Sequence, residues 1–228
     1  MRAVLKLGGS LLYNDAGEVI TDRIKEYANV ISSLVREDNQ FVVVVGGGIP
    51  ARRFISAART LGASEAQCDW LGIKIARHNA ELLCAALGEL AYPKIAESLD
   101  ELEIAVCTGR VVLMGGLTPG QSTNAVAALA AESVRADLLL NATNVEGVYD
   151  RDPKEAGATK LDSVGIIDLK KILSGGGTRA GEYKLFDPVA LRVVERSRIK
   201  TIIFNGKDSQ NLYRLMKGDK LGTVINHE

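Results

Sequence analysis

Ala3-Val4-Leu5-Lys6-Leu7-Gly8-Gly9-Ser10 is an apolar run of strand length that carries one lysine into two consecutive glycines. Glycine lets backbone N–H groups approach a bound group closely, so a lysine near a strand's carboxyl end followed by such a turn reads as a phosphate cradle. The design recurs twice. Phe41–Val45 runs into Gly46-Gly47-Gly48, ahead of an amphipathic segment that begins near Ile49 and carries Arg52 and Arg53 in its first turn. A helix starting there points its N-terminus at the crevice. Val111–Met114 enters Gly115-Gly116-Leu117-Thr118-Pro119-Gly120-Gln121-Ser122-Thr123-Asn124, and either Ser122 or Thr123 is a natural N-cap for the alanine-rich helix that follows. A lone Gly-Gly pair is ordinary strand-to-helix punctuation. Three strands delivering glycine turns to one sheet edge are harder to read that way. Neither GxGxxG nor GxxxxGK[ST] occurs, so the phosphate-binding design is neither the dinucleotide nor the P-loop one.

Further apolar runs at Asp137–Ala142 and Thr201–Phe204 complete a set of buried, mainly parallel strands. Between them lie helical patterns. Asp22–Arg36 places Ile24, Ala28, Ile31, Leu34 and Val35 on one face, and Glu65–Leu87 repeats Leu71, Ile75, Leu82 and Leu83. Asp187-Pro188 sets an N-cap before a proline at the first helical position, and Asp208 precedes Leu212, Leu215 and Met216. The order predicts an α/β chain, an open mainly parallel sheet sandwiched by helices. At 228 residues and 46% hydrophobic, the chain is long enough to bury a large core without staples. The 28 acidic and 28 basic residues balance, which argues against a broad grip on nucleic acid or an anionic membrane, so any anion must be met locally. Cys68, Cys84 and Cys107 lack metal-site spacing and read as reduced core thiols. The apolar run after Met1 is too short for a signal peptide or a membrane helix, so the expected compartment is the cytoplasm.

Lys6-Leu7-Gly8-Gly9-Ser10, Val44-Val45-Gly46-Gly47-Gly48, Ala136-Asp137 and Thr143-Asn144-Val145-Glu146-Gly147-Val148-Tyr149 through Asp152-Pro153 resemble, in this order, the amino-acid kinase superfamily. Within that match, Gly46 to Arg52, Asp69-Trp70-Leu71-Gly72, Gly115-Gly116 to Asn124, and Lys184-Leu185-Phe186-Asp187-Pro188 resemble the UMP kinases, in particular the shorter archaeal type. The resemblance implies one amino-acid kinase domain over 1–228, with the phosphate acceptor held by the half at about 1–135 and ATP by the half at about 136–228. It also implies a homo-oligomer, usually a hexamer.

Carried over residue by residue, the resemblance puts Gly9, Ser10, Gly47 and Arg52 around the transferred phosphate of ATP, and Gly46 against UMP. Asp69 would accept from the ribose hydroxyls of UMP, and Leu117, Thr118, Pro119, Gly120, Gln121, Ser122 and Thr123 would wall its uracil and phosphate. Thr143, Asn144, Tyr149 and Asp152 would hold the adenine and ribose of ATP. Lys6 and Lys184 would neutralise the phosphoryl oxygens, and Asp137 resembles the superfamily aspartate that orients such lysines. Plainer readings stand beside these: Asp69 as a helix cap, Tyr149 as a half-buried strand residue, Lys184 as a solvated loop lysine, Asp137 as a solvent-facing strand start. A phosphate oxygen is already ionised at neutral pH, so transfer to UMP needs no strong base; positioning and charge neutralisation suffice. Mg²⁺ would enter with ATP and keep several waters, with no protein cage visible in the sequence. Isopentenyl phosphate kinases carry a histidine just after the triple glycine, where this chain has Ile49-Pro50-Ala51-Arg52, and its histidines are His78 and His227. Acetylglutamate and aspartate kinases match the Asp69 and 119–123 patterns less well. A nucleotide-binding protein without turnover is the alternative from outside the enzymes, against which Lys6, Lys184 and Asp137 speak.

Overall fold

A computed structural model describes residues 1–151, 155, 157–174 and 186–227. Among them the chain runs β1 (Arg2–Leu7), α1 (Thr21–Val35), β2 (Gln40–Val45), α2 (Gly48–Thr60), α3 (Glu65–Leu87), α4 (Leu99–Val106), β3 (Val112–Met114) and α5 (Thr123–Ser133). It continues with β4 (Leu138–Thr143), β5 (Ser163–Gly165), α6 (Ile166–Ser174), α7 (Pro188–Ser197), β6 (Lys200–Asn205), α8 (Gln210–Met216) and β7 (Thr223–Asn226). The described strands form one seven-stranded sheet in the order β3-β2-β1-β4-β6-β7-β5, parallel except between β6 and β7. This is the expected α/β architecture. The Val- and Leu-rich strands read as continuous apolar runs because helices cover both faces of the sheet.

The strand order has a consequence that local patterns do not reveal. From β1 the chain steps outward through β2 and β3, then returns to pair β4 on the other side of β1. Strands β1 and β4 therefore flank the topological switch point, outside whose carboxyl ends open α/β sheets bind their ligands. Lys6 lies there, level with Val44 of β2 and Asn141 of β4.

Alternation along β1 divides the core in two. Ala3, Leu5 and Leu7 pack with α1, α8 and the Ala80–Leu87 end of α3, whereas Val4 packs with Val42, Val44, α5 and α7. Lys6, two residues beyond Val4, projects to the α5/α7 face.

Several local expectations shift. The apolar stripe of α3 is Ile73, Ala76, Ala80, Leu83 and Leu87, while Leu82 is exposed, because the buried face is set by the turn against β2 and α1. The N-cap of α8 is Ser209; Asp208 still accepts from Gln210 N at 2.9 Å. Cys68 is buried and Cys84 half-buried, but Cys107 is exposed at the end of α4, so only the first is a core thiol. Helix α2 begins at Gly48, which moves Arg52 and Arg53 into its second turn, where both are exposed.

Candidate active site

The first two glycine turns are packed into each other. A Cβ on Gly9 would lie 2.3 Å from the Gly46 carbonyl oxygen and 2.4 Å from Gly48 N, and Gly48 takes φ +66°. No side chain fits between the ends of β1 and β2, so these glycines are demanded by the fold before any ligand arrives. The junction is stapled by Asn79 of α3, a buried amide. Its Nδ2 donates to the carbonyls of Gly46 at 2.8 Å and Gly47 at 3.2 Å, and its Oδ1 accepts from the Tyr13 hydroxyl at 2.5 Å. Ser10 is half-exposed on the short helical turn Gly9–Leu12, facing the same opening.

Lys6 reaches into this space. Its Nζ lies 3.7 Å from where a Gly8 Cβ would be, and no carboxylate pairs with it among the described residues. Burial pushes its ammonium down from the ordinary 10.5 to about 8. A half-buried cation without a counter-charge is a site waiting for an anion.

The third glycine turn forms the opposite wall and is held from three directions. Arg77 of α3 donates from Nε to the Gly116 carbonyl (3.1 Å) and from Nη2 to the Leu117 carbonyl (3.4 Å), while Nη1 pairs with Glu97 at 2.5 Å. Asp69, two turns earlier on the same helix, accepts from Gly120 N at 2.8 Å through Oδ2. Its helix-cap reading is overturned, because Ser64 caps α3 in a capping box with Gln67. Ser122, rather than Thr123, caps α5 and also donates to Asp187 Oδ2, the N-cap residue of α7. Leu117 is buried, Pro119, Gln121, Ser122 and Thr123 are half-buried, and Thr118 and Gly120 are exposed. Gln121 Oε1 and Asn124 Oδ1 are buried with no hydrogen-bond partner among the described residues. They are acceptors that a donor on a bound ligand would satisfy.

Across the switch point, the carboxyl ends of β4 and β6 form the other side. Thr143 is buried, its Oγ1 bonding both N and O of Val145, and its carbonyl accepts from Gly206 N at 2.8 Å. Asn205 Nδ2 donates to Glu146 Oε1 at 2.6 Å, and Asn144 is exposed beside them. Tyr149 is half-buried and pairs in an antiparallel bridge with Lys160. Asp152 and Lys184 lie outside the described residues.

One expected site residue is in the wrong place. Asp137 precedes β4 at the amino end of the sheet, where its Oδ2 accepts from Arg2 N at 2.7 Å. Asn141, not Asp137, is level with Lys6, and the offset of four positions amounts to roughly 13 Å along a strand. Asp137 therefore cannot orient Lys6. Sequence reasoning also gave no site role to Arg77, Asn79, Glu146 or Asn205, and it read Asp187 as a helix cap without its bond to Ser122. A signal existed for Asn79, an amide set among Ala76, Ala80 and Leu83 on the apolar face of a helix. None existed for Arg77, whose targets are backbone carbonyls about 40 residues away.

Residues 1–205 match the amino acid kinase family, and the chain belongs to that family. Among its relatives, the uridylate kinase of Methanothermobacter thermautotrophicus is 44% identical over 226 residues, covering 99% of both chains. That of Methanothrix thermoacetophila is 46% identical over 228 residues, again covering 99% of both. The crystal structure of uridylate kinase from Archaeoglobus fulgidus is similar with a TM-score of 0.86 at 44% identity, covering 99% of this chain and 100% of that one. A UMP kinase structure from Bacillus anthracis, at 22% identity and a TM-score of 0.83 over 100% of this chain and 96% of its own, shares the fold.

Proposed function

We propose that this chain transfers the γ-phosphoryl group of ATP to UMP, giving UDP and ADP. The observation that carries the chemistry is Lys6, a cation without a carboxylate partner among the described residues, held at the switch point between two walls built from glycine turns. Full-length similarity to archaeal uridylate kinases at 41–46% identity supports UMP as the acceptor.

In this reading the loop 117–123 walls the uracil and phosphate of UMP. Asp69, whose Oδ1 is not engaged by Gly120, accepts from the ribose. Gly9, Ser10, Gly46 and Gly47 present backbone to the phosphates, and exposed Arg52 reaches over the crossing. Thr143, Asn144, Tyr149 and Asp152 hold the adenosine side, with Lys184 a second cation toward the leaving ADP. The acceptor half is thus about 1–135 and the ATP half about 136–228. A UMP phosphate oxygen attacks the γ-phosphorus, a new P–O bond forms, and the bond to the β–γ bridging oxygen breaks with its electron pair leaving on ADP. No proton has to be removed from the nucleophile. Lys6 stabilises the charge shared among the equatorial oxygens.

No group of three or more His, Cys, Asp or Glu side chains among the described residues is arranged to hold a metal. Mg²⁺ would enter with ATP, held by its phosphates and by waters, and would supply charge neutralisation there. No helix among the described residues is long and apolar enough to cross a membrane, and cytoplasmic residence fits the free cysteines. Exposed Phe54, Leu61 and Trp70 on α2, its C-terminal end and α3 favour burial against further copies in a hexamer. A coupled ADP-release assay offering UMP, CMP, dUMP, acetylglutamate and isopentenyl phosphate tests the assignment. Turnover with UMP exceeding every other acceptor is expected, and preference for a carboxylate or isopentenyl phosphate would overturn it.

A further inference from the structure

The N-termini of α5 and α7 meet on the sheet face that Lys6 shares, and one hydrogen bond joins them. Ser122 Oγ accepts from Asn124 N and Ala125 N, both at 3.1 Å, and its hydroxyl donates to Asp187 Oδ2. Asp187 Oδ1 accepts from Val189 N at 2.8 Å and Ala190 N at 3.1 Å. Two helix starts, 65 residues apart in the chain, are therefore satisfied through one two-residue junction. At the far end of the same helix pair, Arg196 makes a two-pronged ion pair with Glu132, Nε to Oε1 at 2.9 Å and Nη2 to Oε2 at 2.5 Å.

Each arm of the junction belongs to a different side of the site. Ser122 ends the glycine loop held by Arg77 and Asp69. Asp187 starts α7, and only Arg198 and Ile199 separate α7 from β6, whose carboxyl end carries the Asn205–Glu146 pair and Gly206. Moving the loop displaces the Ser122 hydroxyl, and with it the start of α7.

We infer that the Ser122–Asp187 pair is a positioning latch that couples acceptor binding on the loop 117–123 to ATP binding at the ends of β4 and β6. This rests on the placement of the two nucleotides proposed above. A ligand on one side sets the junction, so the second ligand meets a site already in register and binds more tightly; by linkage the effect is reciprocal. The chemistry selects a carboxylate at 187. Two acceptor oxygens are needed, one for the α7 cap and one for Ser122, and an asparagine has a single oxygen. At 122 a hydroxyl is needed, because it must accept and donate at once; threonine supplies it and alanine does not.

The test is calorimetric titration of the full chain with UMP, alone and with a saturating, non-hydrolysable imido analogue of ATP plus Mg²⁺. The parent should bind UMP at least about fivefold more tightly with the analogue present, and the analogue should gain the same factor from UMP. In Asp187→Asn and Ser122→Ala that factor should fall to within about twofold of one, while Ser122→Thr keeps it. Arg196→Met, which removes only the far clamp, should also keep it, and this separates the latch from general helix packing. If Asp187→Asn does not fold, the Ser122→Ala and Ser122→Thr pair decides. A parent factor of one, an unchanged factor in Ser122→Ala, or its loss in Arg196→Met would overturn the latch while leaving the substrate assignment standing. Failure of the folded parent to bind UMP at all would overturn both.

Discussion

Replacing Lys6 by methionine should move activity and stability in opposite directions. Methionine keeps an apolar stem of similar length for the space between β1 and α5 and removes only the charge. The loss in turnover follows from the role: one preorganised donor aimed at transition-state charge contributes about 3–4 kcal/mol, so kcat should fall by about 10²–10³. The gain in stability follows from the burial. A fall of the ammonium pKa from 10.5 to about 8 corresponds to a cost of at most about 3 kcal/mol for holding the charge in the empty protein. The unfolded chain binds the proton more tightly, so this cost is fully present below pH 8, diminishes as pH rises from 8 toward 10.5, and vanishes above. At pH 7 the variant should therefore melt higher, by up to about 6–12 °C for a chain of this size. Between pH 8 and 10.5 the parent should gain stability relative to the variant. Lys6→Arg should recover little activity, since a wide planar fork does not reproduce a point charge in a glycine-lined space. Steady-state kinetics at saturating MgATP and UMP, with thermal melts of the ligand-free proteins, measure both effects. A kcat within about threefold of the parent, or a melting temperature at pH 7 equal to or below the parent's, would refute the buried-cation argument.

Four other outcomes are expected. Because the empty protein must carry Lys6 protonated to receive phosphate, kcat/KM for ATP should decline above about pH 8, and the decline should be absent in Lys6→Met. Asp69→Asn keeps an oxygen for Gly120 N but removes the charge offered to the ribose, so KM for UMP should rise by about tenfold with KM for ATP little changed; equal effects on both would remove Asp69 from the acceptor side. Tyr149→Ala should raise KM for ATP and leave that for UMP, and an unchanged ATP KM would leave Tyr149 as a strand residue only. Asn79→Ala strands the Gly46 and Gly47 carbonyls and the Tyr13 hydroxyl, so chemical denaturation should show a loss of about 2–4 kcal/mol; a loss within experimental error would show that water replaces the staple.

Much of the fold was legible from local chemistry. The span of α3 at Glu65–Leu87, the Asp187-Pro188 start of α7 and a start of α5 at Ser122 or Thr123 follow from caps and periodicity, which act over a few residues, and the structure selects Ser122. The five buried strands found in the sequence were displaced by no more than a residue at either end. The strands Ser163–Gly165, at the sheet edge, and Thr223–Asn226, next to it, escaped because they are short and half-exposed, with no long apolar run to mark them. The glycine turns were found, but their first physical reason was not: Gly9, Gly46 and Gly48 are required by each other before they are required by a phosphate.

The sequence by itself determined an alternating α/β chain with three glycine turns and a lysine at the mouth of one, because strand burial, helix capping and turn formation are written in neighbouring residues. Tertiary structure decided which strands lie side by side and in what register. That choice put Lys6 at the switch point between β1 and β4, level with Asn141, and left Asp137 at the opposite end bonded to Arg2. It also brought Asn79 to the first two turns, Arg77 and Asp69 to the third, and Ser122 to Asp187. These pairings join positions some 30 to 65 residues apart, where no local pattern couples the partners, and only the packing of helices across a paired sheet selects them.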